Sequence, residues 1–234
     1  MKTLLCILSL IAFAPRAVFA GGITGTVRAE PRPGTEGTDA GGDKYGSRKY
    51  KFAERVDYAG MRDFVVCLVG VVGTNTSAPQ TPKVLSVDTR RVAQKGATFM
   101  PHVLPVVAGT WVEWPNNDDI FHNVFSDSDA CQFDLGLYKN NPPDKRVLFD
   151  KPGRVDVFCS IHANMHCIVL VLENPYFCVA DDRGHYAITN IPAGTYRVKA
   201  WHERMPAQIR EITVPETGDV KADFVLNVMN LPKP

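Results

Sequence analysis

The chain has 234 residues, of which 45% are hydrophobic and 22% charged, a composition that belongs to globular proteins rather than to disordered or fibrous ones. The net charge of +1 gives no support for nucleic-acid binding or for membrane attachment through basic residues. Residues 1–20 are predicted to be a secretory signal peptide, because Lys2 and a short apolar run precede small residues at the cleavage site before Gly21. That run is too short to span a membrane, so we expect an exported protein without a membrane span.

Short strands separated by turn signals follow along the rest of the chain. Gly22–Arg28 alternates in polarity and predicts an opening strand, residues 29–51 predict a flexible loop rich in Pro and Gly, and Phe64–Val69 predicts a buried strand. Six strands are predicted in the middle of the chain, at Thr98–Pro105, Thr110–Trp114, His122–Phe125, Arg146–Phe149, Arg154–Cys159 and Cys167–Leu172. Five more are predicted towards the end, at Phe177–Ala180, His185–Thr189, Thr195–Trp201, Gln208–Val214 and Asp219–Val228. No segment of useful length has helical periodicity, so the sequence predicts an all-β protein built of sandwiches.

The cysteine count is odd once the predicted signal peptide is removed. Five cysteines remain: Cys67, Cys131, Cys159, Cys167 and Cys178. In an exported protein an odd count means that one thiol is free, pairs between chains or binds a ligand. The simplest alternative is that one cysteine is only a small buried hydrophobic residue.

The surroundings of Cys159 favour a bound metal. Cys159, His162 and Met165 form a C-x2-H-x2-M pattern on a short turn between two predicted strands, and this places a thiolate, an imidazole and a thioether on one loop. A second imidazole would complete the His2Cys site with a weak axial Met that suits copper electron transfer. His122 is the candidate, and its neighbour Asn123 is placed to bond the sulfur or to tie the two ligand segments together.

Other interpretations of the same residues are weaker. A register that uses His166 and Cys167 finds no His or Met downstream of that cysteine. Zinc is possible in principle, although Cys, His and Met are not its usual ligand set. His102 and His185 lie in strand patterns and are assigned to the surface. His202 and Glu203 are assigned to a strand end rather than to another metal site.

The middle of the chain resembles the cupredoxins, the blue type 1 copper proteins. The loop is similar to that of amicyanin, and the whole segment resembles bacterial periplasmic cupredoxin-domain proteins often labelled methylamine-utilisation or plastocyanin-like. The motifs that carry the resemblance are FMPHV at 99–103, HNVFS at 122–126, FDLGLY at 133–138 and CSIHANM at 159–165. The resemblance implies one type 1 copper ion with four ligands, namely His122, Cys159, His162 and Met165. It also implies a periplasmic electron carrier that is not an enzyme and that docks a redox partner protein weakly near His162.

Two features depart from the cupredoxin pattern. His166 follows the axial Met directly, and its coordination would shift the site towards a stronger-field copper centre. Cys131 and Cys167 flank the site. The alternatives to an electron carrier are a redox enzyme and a module that only holds copper or serves as a scaffold.

The two ends of the chain resemble a second family. The segment 182–198, DRGHYAITNIPAGTYRV, is similar to the signature of carboxypeptidase-regulatory-like, transthyretin-like β-sandwiches. This resemblance implies a cupredoxin-like Greek-key sandwich at 85–173, inserted into a smaller β-sandwich formed by 21–84 and 174–234. It makes disulfides reasonable between Cys67 and Cys178 and between Cys131 and Cys167, although sequence alone leaves the connectivity open.

Overall fold

The computed structural model describes residues 20–31, 57–70, 72, 90–140, 142 and 144–227. These residues form strands, turns and bends, without a helix, and the predicted all-β class is confirmed. Within these ranges no helix has the length and hydropathy needed to cross a bilayer. Residues 1–19 of the predicted signal peptide and residues 32–51 of the predicted loop lie outside the described residues.

Two groups of strands pair only among themselves. The first group, called here the terminal sandwich, consists of β1 (Ala20–Ala29), β2 (Val65–Val69), β12 (Phe177–Val179), β13 (His185–Pro192), β14 (Gly194–His202), β15 (Met205–Val214), β16 (Asp219–Lys221) and β17 (Phe224–Leu226). One of its sheets has the order β13-β1-β16, with β17 also pairing β1, and the other has the order β12-β2-β14-β15. Their facing sides enclose one apolar core, to which Ile23, Tyr186, Val66 and Val198 contribute.

The second group, called here the central sandwich, consists of β3 (Ala93–Gln94), β4 (Phe99–Met100), β5 (Val103–Val107), β6 (Thr110–Glu113), β7 (His122–Ser128), β8 (Cys131–Tyr138), β9 (Arg146–Phe149), β10 (Gly153–Phe158) and β11 (His166–Leu172). Five of these strands form a sheet of order β5-β11-β10-β7-β8, while β3 pairs β4 and β6 pairs β9. Trp114, Phe99 and Phe149 are fully buried in its core.

Strand β11 is buried on both faces and joins the two groups. Because side chains alternate along a strand, Cys167 and Val169 enter the core of the central sandwich, while Ile168 and Leu170 lie on the opposite face. That face packs against Trp201 and Val65 of the terminal sandwich, and this contact is called here the seam. Burial on two sides explains why residues 167–171 form a continuous apolar run instead of an alternating one.

Candidate metal centre

The loop that carries Cys159 joins β10 to β11 at one end of the central sheet. The N–H of Cys159 donates to the carbonyl of Met165 at 3.2 Å, and the N–H of Met165 donates to the carbonyl of His162 at 3.0 Å. These two bonds close the loop at its base. Since side chains alternate along β10, Val157 is buried, Phe158 is exposed and Cys159 is buried again. The thiol therefore lies on the core side of the sheet.

His122 reaches the same place from another strand. It is the first residue of β7, and β7 pairs with β10 through Phe125 and Phe158. The start of β7 therefore lies beside the end of β10 and beside the loop that follows. The His122 side chain is fully buried.

The ligand atoms of these residues converge. His122 Nδ1 lies 3.1 Å from His162 Nδ1, which lies 3.5 Å from Cys159 Sγ, and the three atoms are all within 4.8 Å of one another. Metal bonds of about 2.0–2.1 Å to nitrogen and about 2.3 Å to sulfur separate ligand atoms around one ion by about 3.3–3.7 Å. The observed spacing is therefore close to that of three ligands around a single ion. The predicted positions of His122, Cys159 and His162 are thus together in space.

Asp118 orients the His122 ring. His122 Nε2 lies 2.8 Å from Asp118 Oδ2, and the same carboxylate accepts the N–H groups of Gly96 at 2.6 Å and Ala97 at 2.9 Å. Burial raises the pKa of Asp118, but the bonds from Ala97, Gly96 and His122 outweigh burial, so the pKa lies below its usual value. An ionised Asp118 holds the proton of His122 on Nε2 and leaves the lone pair of Nδ1 facing Cys159 and His162. The sequence analysis missed this residue, and its only signal was a carboxylate four positions before the histidine.

Asn123 connects the two ligand segments. Its backbone N–H lies 3.5 Å from Cys159 Sγ, and its side-chain Oδ1 accepts the N–H of Ser160 at 3.3 Å. Its Nδ2 donates to Asp134 Oδ1 at 2.6 Å, which holds the amide in this orientation. Asn123 itself is buried. These contacts limit how far the thiol can move relative to β7.

Met165 lies in the same core as Cys159 and is 1% exposed. Its backbone closes the ligand loop, as described above, and its side chain is enclosed by the apolar residues of the central sandwich. The role of the thioether as an axial ligand stays a prediction.

The alternative ligands at positions 166 and 167 lie away from this centre. His166 faces the other side of the sheet, where its Nε2 lies 2.9 Å from Asp156 Oδ1. Cys167 is fully buried inside the central core, and burial raises the pKa of its thiol strongly. His202 is the last residue of β14, which confirms the predicted strand end, but it is buried, with 5% exposure and its ring 4.8 Å from that of Phe64.

The disulfides considered from the sequence do not form, because all five cysteines of the described residues are free. Cys67 pairs with Phe177 and Cys178 with Val66, so the two cysteines are one residue out of register and face opposite sides of their sheet.

The second pair fails because its strands are distant. Cys167 is on β11. Cys131 is on β8 at the hairpin turn remote from His122, so the prediction that it lies near the candidate metal centre is wrong. Strands β10 and β7 lie between β11 and β8, so the two cysteines are about 14 Å apart across the sheet, beyond the reach of a disulfide.

Two of these cysteines have thiols whose pKa is raised. Burial raises the pKa of Cys67 to about 11. Burial, with a smaller contribution from Asp150, raises the pKa of Cys131. Since a thiol that stays protonated is a poor nucleophile and a poor ligand, both behave as small hydrophobic residues.

Among proteins of known structure, the chain is similar to several copper proteins. No family model matches the chain, and no curated protein matches it. A copper-containing nitrite reductase from Thermus scotoductus is 30% identical over 36% of this chain and 22% of its own, with a TM-score of 0.33. A mutant of amicyanin in its Cu(I) form is 21% identical over 35% of this chain and 79% of its own, with a TM-score of 0.31. A purple cupredoxin from Nitrosopumilus maritimus is 23% identical over 35% of this chain and 97% of its own, with a TM-score of 0.30. The chain thus spans about a fifth of the nitrite reductase and most of each small copper protein.

Proposed function

We propose that this protein carries single electrons through one type 1 copper ion held by His122, Cys159 and His162, with Met165 as the axial ligand. The observation that carries the proposal is the convergence of two imidazole Nδ1 atoms and one thiol sulfur at 3.1 and 3.5 Å. A trigonal His2Cys set with a distant thioether is the arrangement found in blue copper sites. When bound, copper would supply a one-electron couple between its two common oxidation states.

The protein's own residues serve to keep this geometry constant. Asp118 fixes the ring of His122, and Asn123 holds the loop of Cys159 against β7. His122, Cys159 and Met165 are buried, so little water has to reorganise when the charge of the site changes. A site that is held in one geometry in both oxidation states exchanges electrons quickly.

The surface around His162 suits a transient partner. Three large apolar side chains next to the ligand segments are about half exposed: Phe121 before His122, Ile161 before His162, and Leu137, which pairs with Asn123. An exposed apolar group of this kind marks a contact surface. We assign to it a weak, short-lived encounter with a redox partner protein, as is usual for electron-transfer complexes.

The remaining parts of the proposal concern organisation and location. The pairing of β1 and β2 with β12–β17 supports the insertion of a copper domain, residues 85–173, into a host sandwich formed by 21–84 and 174–234. Lys2, the apolar run and the small residues before Gly21 support export to the periplasm.

The copper experiment separates a carrier from its alternatives. The full chain is reconstituted with Cu(II), and its visible absorption and electron paramagnetic resonance spectra are recorded. We expect an intense thiolate-to-copper band that disappears on reduction, returns on oxidation and is absent in Cys159→Ser. Cys131→Ser is the matched control, because that cysteine is remote from the site, and it should keep the full band.

Three other results would contradict the proposal. A pale product, or one that does not respond to reductant, would indicate a copper-holding module or scaffold. Turnover of oxygen or nitrite without a partner protein would indicate an enzyme. A full blue band in Cys159→Ser would show that the thiol of Cys159 is not a copper ligand.

A further inference from the structure

A second cluster of metal-binding side chains lies on the opposite face of β11 from the first. It consists of His102, His166 and Glu203, whose ligand atoms all lie within 4.8 Å of one another. His102 and His166 belong to the central sandwich, whereas Glu203 is in the turn between β14 and β15 of the terminal sandwich. The cluster therefore spans the seam.

The backbone positions all three residues firmly. The carbonyl of His102 accepts the N–H of Ile168 at 2.8 Å, where β5 begins its parallel pairing with β11. His166 is paired with Phe158 across the β10–β11 ladder, and its ring stacks on that of Phe158 with a centroid distance of 4.8 Å. Glu203 follows directly after Trp201 and His202, both of which are buried.

The hydrogen bonds of His102 leave an acceptor facing an acceptor. His102 Nδ1 lies 3.3 Å from the carbonyl oxygen of His166, and His102 Nε2 lies 3.0 Å from Glu203 Oε1. Both oxygens only accept, whereas a neutral imidazole carries one N–H, so one ring nitrogen turns a lone pair towards an oxygen. A metal ion between Nε2 and Oε1 would remove this conflict, because Nδ1 would then carry the proton for the carbonyl.

The outer contacts match those of a metal site. Histidines that bind a metal almost always donate their other ring N–H to a carbonyl or a carboxylate. His102 Nδ1 faces the carbonyl of His166 at 3.3 Å, and His166 Nε2 lies 2.9 Å from Asp156 Oδ1, which leaves Nε2 of His102 and Nδ1 of His166 for a metal. Asp156 is held in turn by the guanidinium of Arg154 through bonds of 2.7 and 2.8 Å.

We propose that His102, His166 and Glu203 form a second metal site that binds Zn²⁺ and joins the two sandwiches. Two imidazoles and one carboxylate are a ligand set that zinc uses with its fourth position open, and tetrahedral bonds of about 2.0–2.1 Å separate such ligands by about 3.3 Å. The observed 3.0 Å between His102 and Glu203 is close to that separation. All three side chains are partly exposed, so water can take the fourth position. The two carboxylates, with Arg154, leave a net negative charge at the site.

Zinc titration of the copper-loaded chain tests this site. The full chain carrying one equivalent of copper is titrated with Zn²⁺ by isothermal titration calorimetry, while its visible band is recorded. We expect one further equivalent of zinc to bind with the copper band unchanged, and thermal unfolding to shift to higher temperature because zinc binds only the folded state. His102→Ala and Glu203→Gln should each lower the zinc affinity at least tenfold, and Asp156→Asn should lower it about 10- to 100-fold.

The controls separate this proposal from the copper proposal. His185→Ala should bind zinc as the parent does, since that exposed histidine pairs only with Asp181 at 3.3 Å in the described part of the chain. If the copper band is absent, the same titration in Cys159→Ser still reports the second site, because Glu203→Gln in that background should remove one equivalent. Absence of a second equivalent, or unchanged zinc binding in both His102→Ala and Glu203→Gln, would overturn the proposal and leave the contact between His102 and Glu203 as a hydrogen bond.

Discussion

Both sandwiches are built of β-strands alone, but they differ in the polar groups that they bury. In the terminal sandwich the buried polar residues among those described are Asn174 and His202. The central sandwich buries more of them: Gln94, Thr110, Asn116, His122, Asn123 and Ser126. Because a buried polar group is costly unless it has a partner, such residues are retained where they hold something in place.

The buried polar groups of the central sandwich are concentrated around the ligand segments. Asn116 donates to the carbonyls of Ile120 at 2.9 Å and Tyr138 at 3.0 Å, which fixes the turn before His122. Asn123 connects that strand to the Cys159 loop. By contrast, Asn174 donates to the carbonyls of Leu68 and Gly70 and accepts the N–H of Tyr176, all within a connection of the terminal sandwich. The buried polar groups of the central core therefore hold the candidate ligand segments in place, whereas Asn174 holds a connection between strands.

The largest effect is expected from truncating one aromatic residue in each core. Phe149 and Phe224 are both fully buried, one in each sandwich. Each change to Ala should lower the free energy of unfolding by about 3–5 kcal/mol. Only Phe149→Ala, whose core contains Cys159 and Met165, should also weaken the copper band. Urea unfolding and copper titration check both outcomes. A weakened copper band in Phe224→Ala but not in Phe149→Ala would contradict this distinction between the two cores.

Truncation at the seam should destabilise the protein without changing the copper site. Trp201 packs on Ile168 and Leu170 and is 8% exposed, so Trp201→Ala should cost about 3 kcal/mol in urea unfolding. Trp111→Ala is the matched control, because that side chain is 48% exposed. This substitution should change the free energy of unfolding by no more than about 0.5 kcal/mol. A seam variant as stable as the parent would mean that the two sandwiches do not support each other.

Removing the charge that orients His122 should weaken copper binding specifically. Asp118→Asn keeps the size of the side chain but loses the carboxylate, so copper affinity should fall about 10- to 100-fold. Asp119→Asn is the control, since the neighbouring carboxylate is exposed and pairs with Lys139 at 2.6 Å. Competition with a copper chelator measures both variants. Equal affinities would show that the ring of His122 is held by other contacts.

The smallest effect on stability is expected at the apolar surface. Phe121→Ser removes a half-exposed ring and should change the free energy of unfolding by less than about 0.5 kcal/mol. Electron self-exchange between copies of the protein, followed by NMR line broadening, should nevertheless slow several-fold, with an unchanged copper spectrum. Val179→Ser, which alters an exposed apolar residue of the terminal sandwich, should leave the exchange rate as it is. Equal rates in both variants would exclude docking at Phe121.

Several features follow from the sequence because they depend on residues close together in the chain. Alternation over 153–158 and an apolar run over 167–172 predict two strands, and the short connection between them brings Cys159 and His162 into contact range whatever the rest of the fold does. The soft donor types on that loop indicate a metal of the copper class for the same local reason. The position of His122 beside them was predicted from the ligand set that such a metal needs.

Other features depend on register and packing between distant segments, which tertiary structure alone decides. Cys67 and Cys178 lie on neighbouring strands, yet an offset of one residue turns their thiols to opposite faces. Glu203 meets His102 across 101 positions of sequence only because the terminal sandwich packs on the back of β11. Short spacings constrain geometry through the covalent chain, whereas such distant meetings arise from the balance of many apolar contacts spread over both sandwiches.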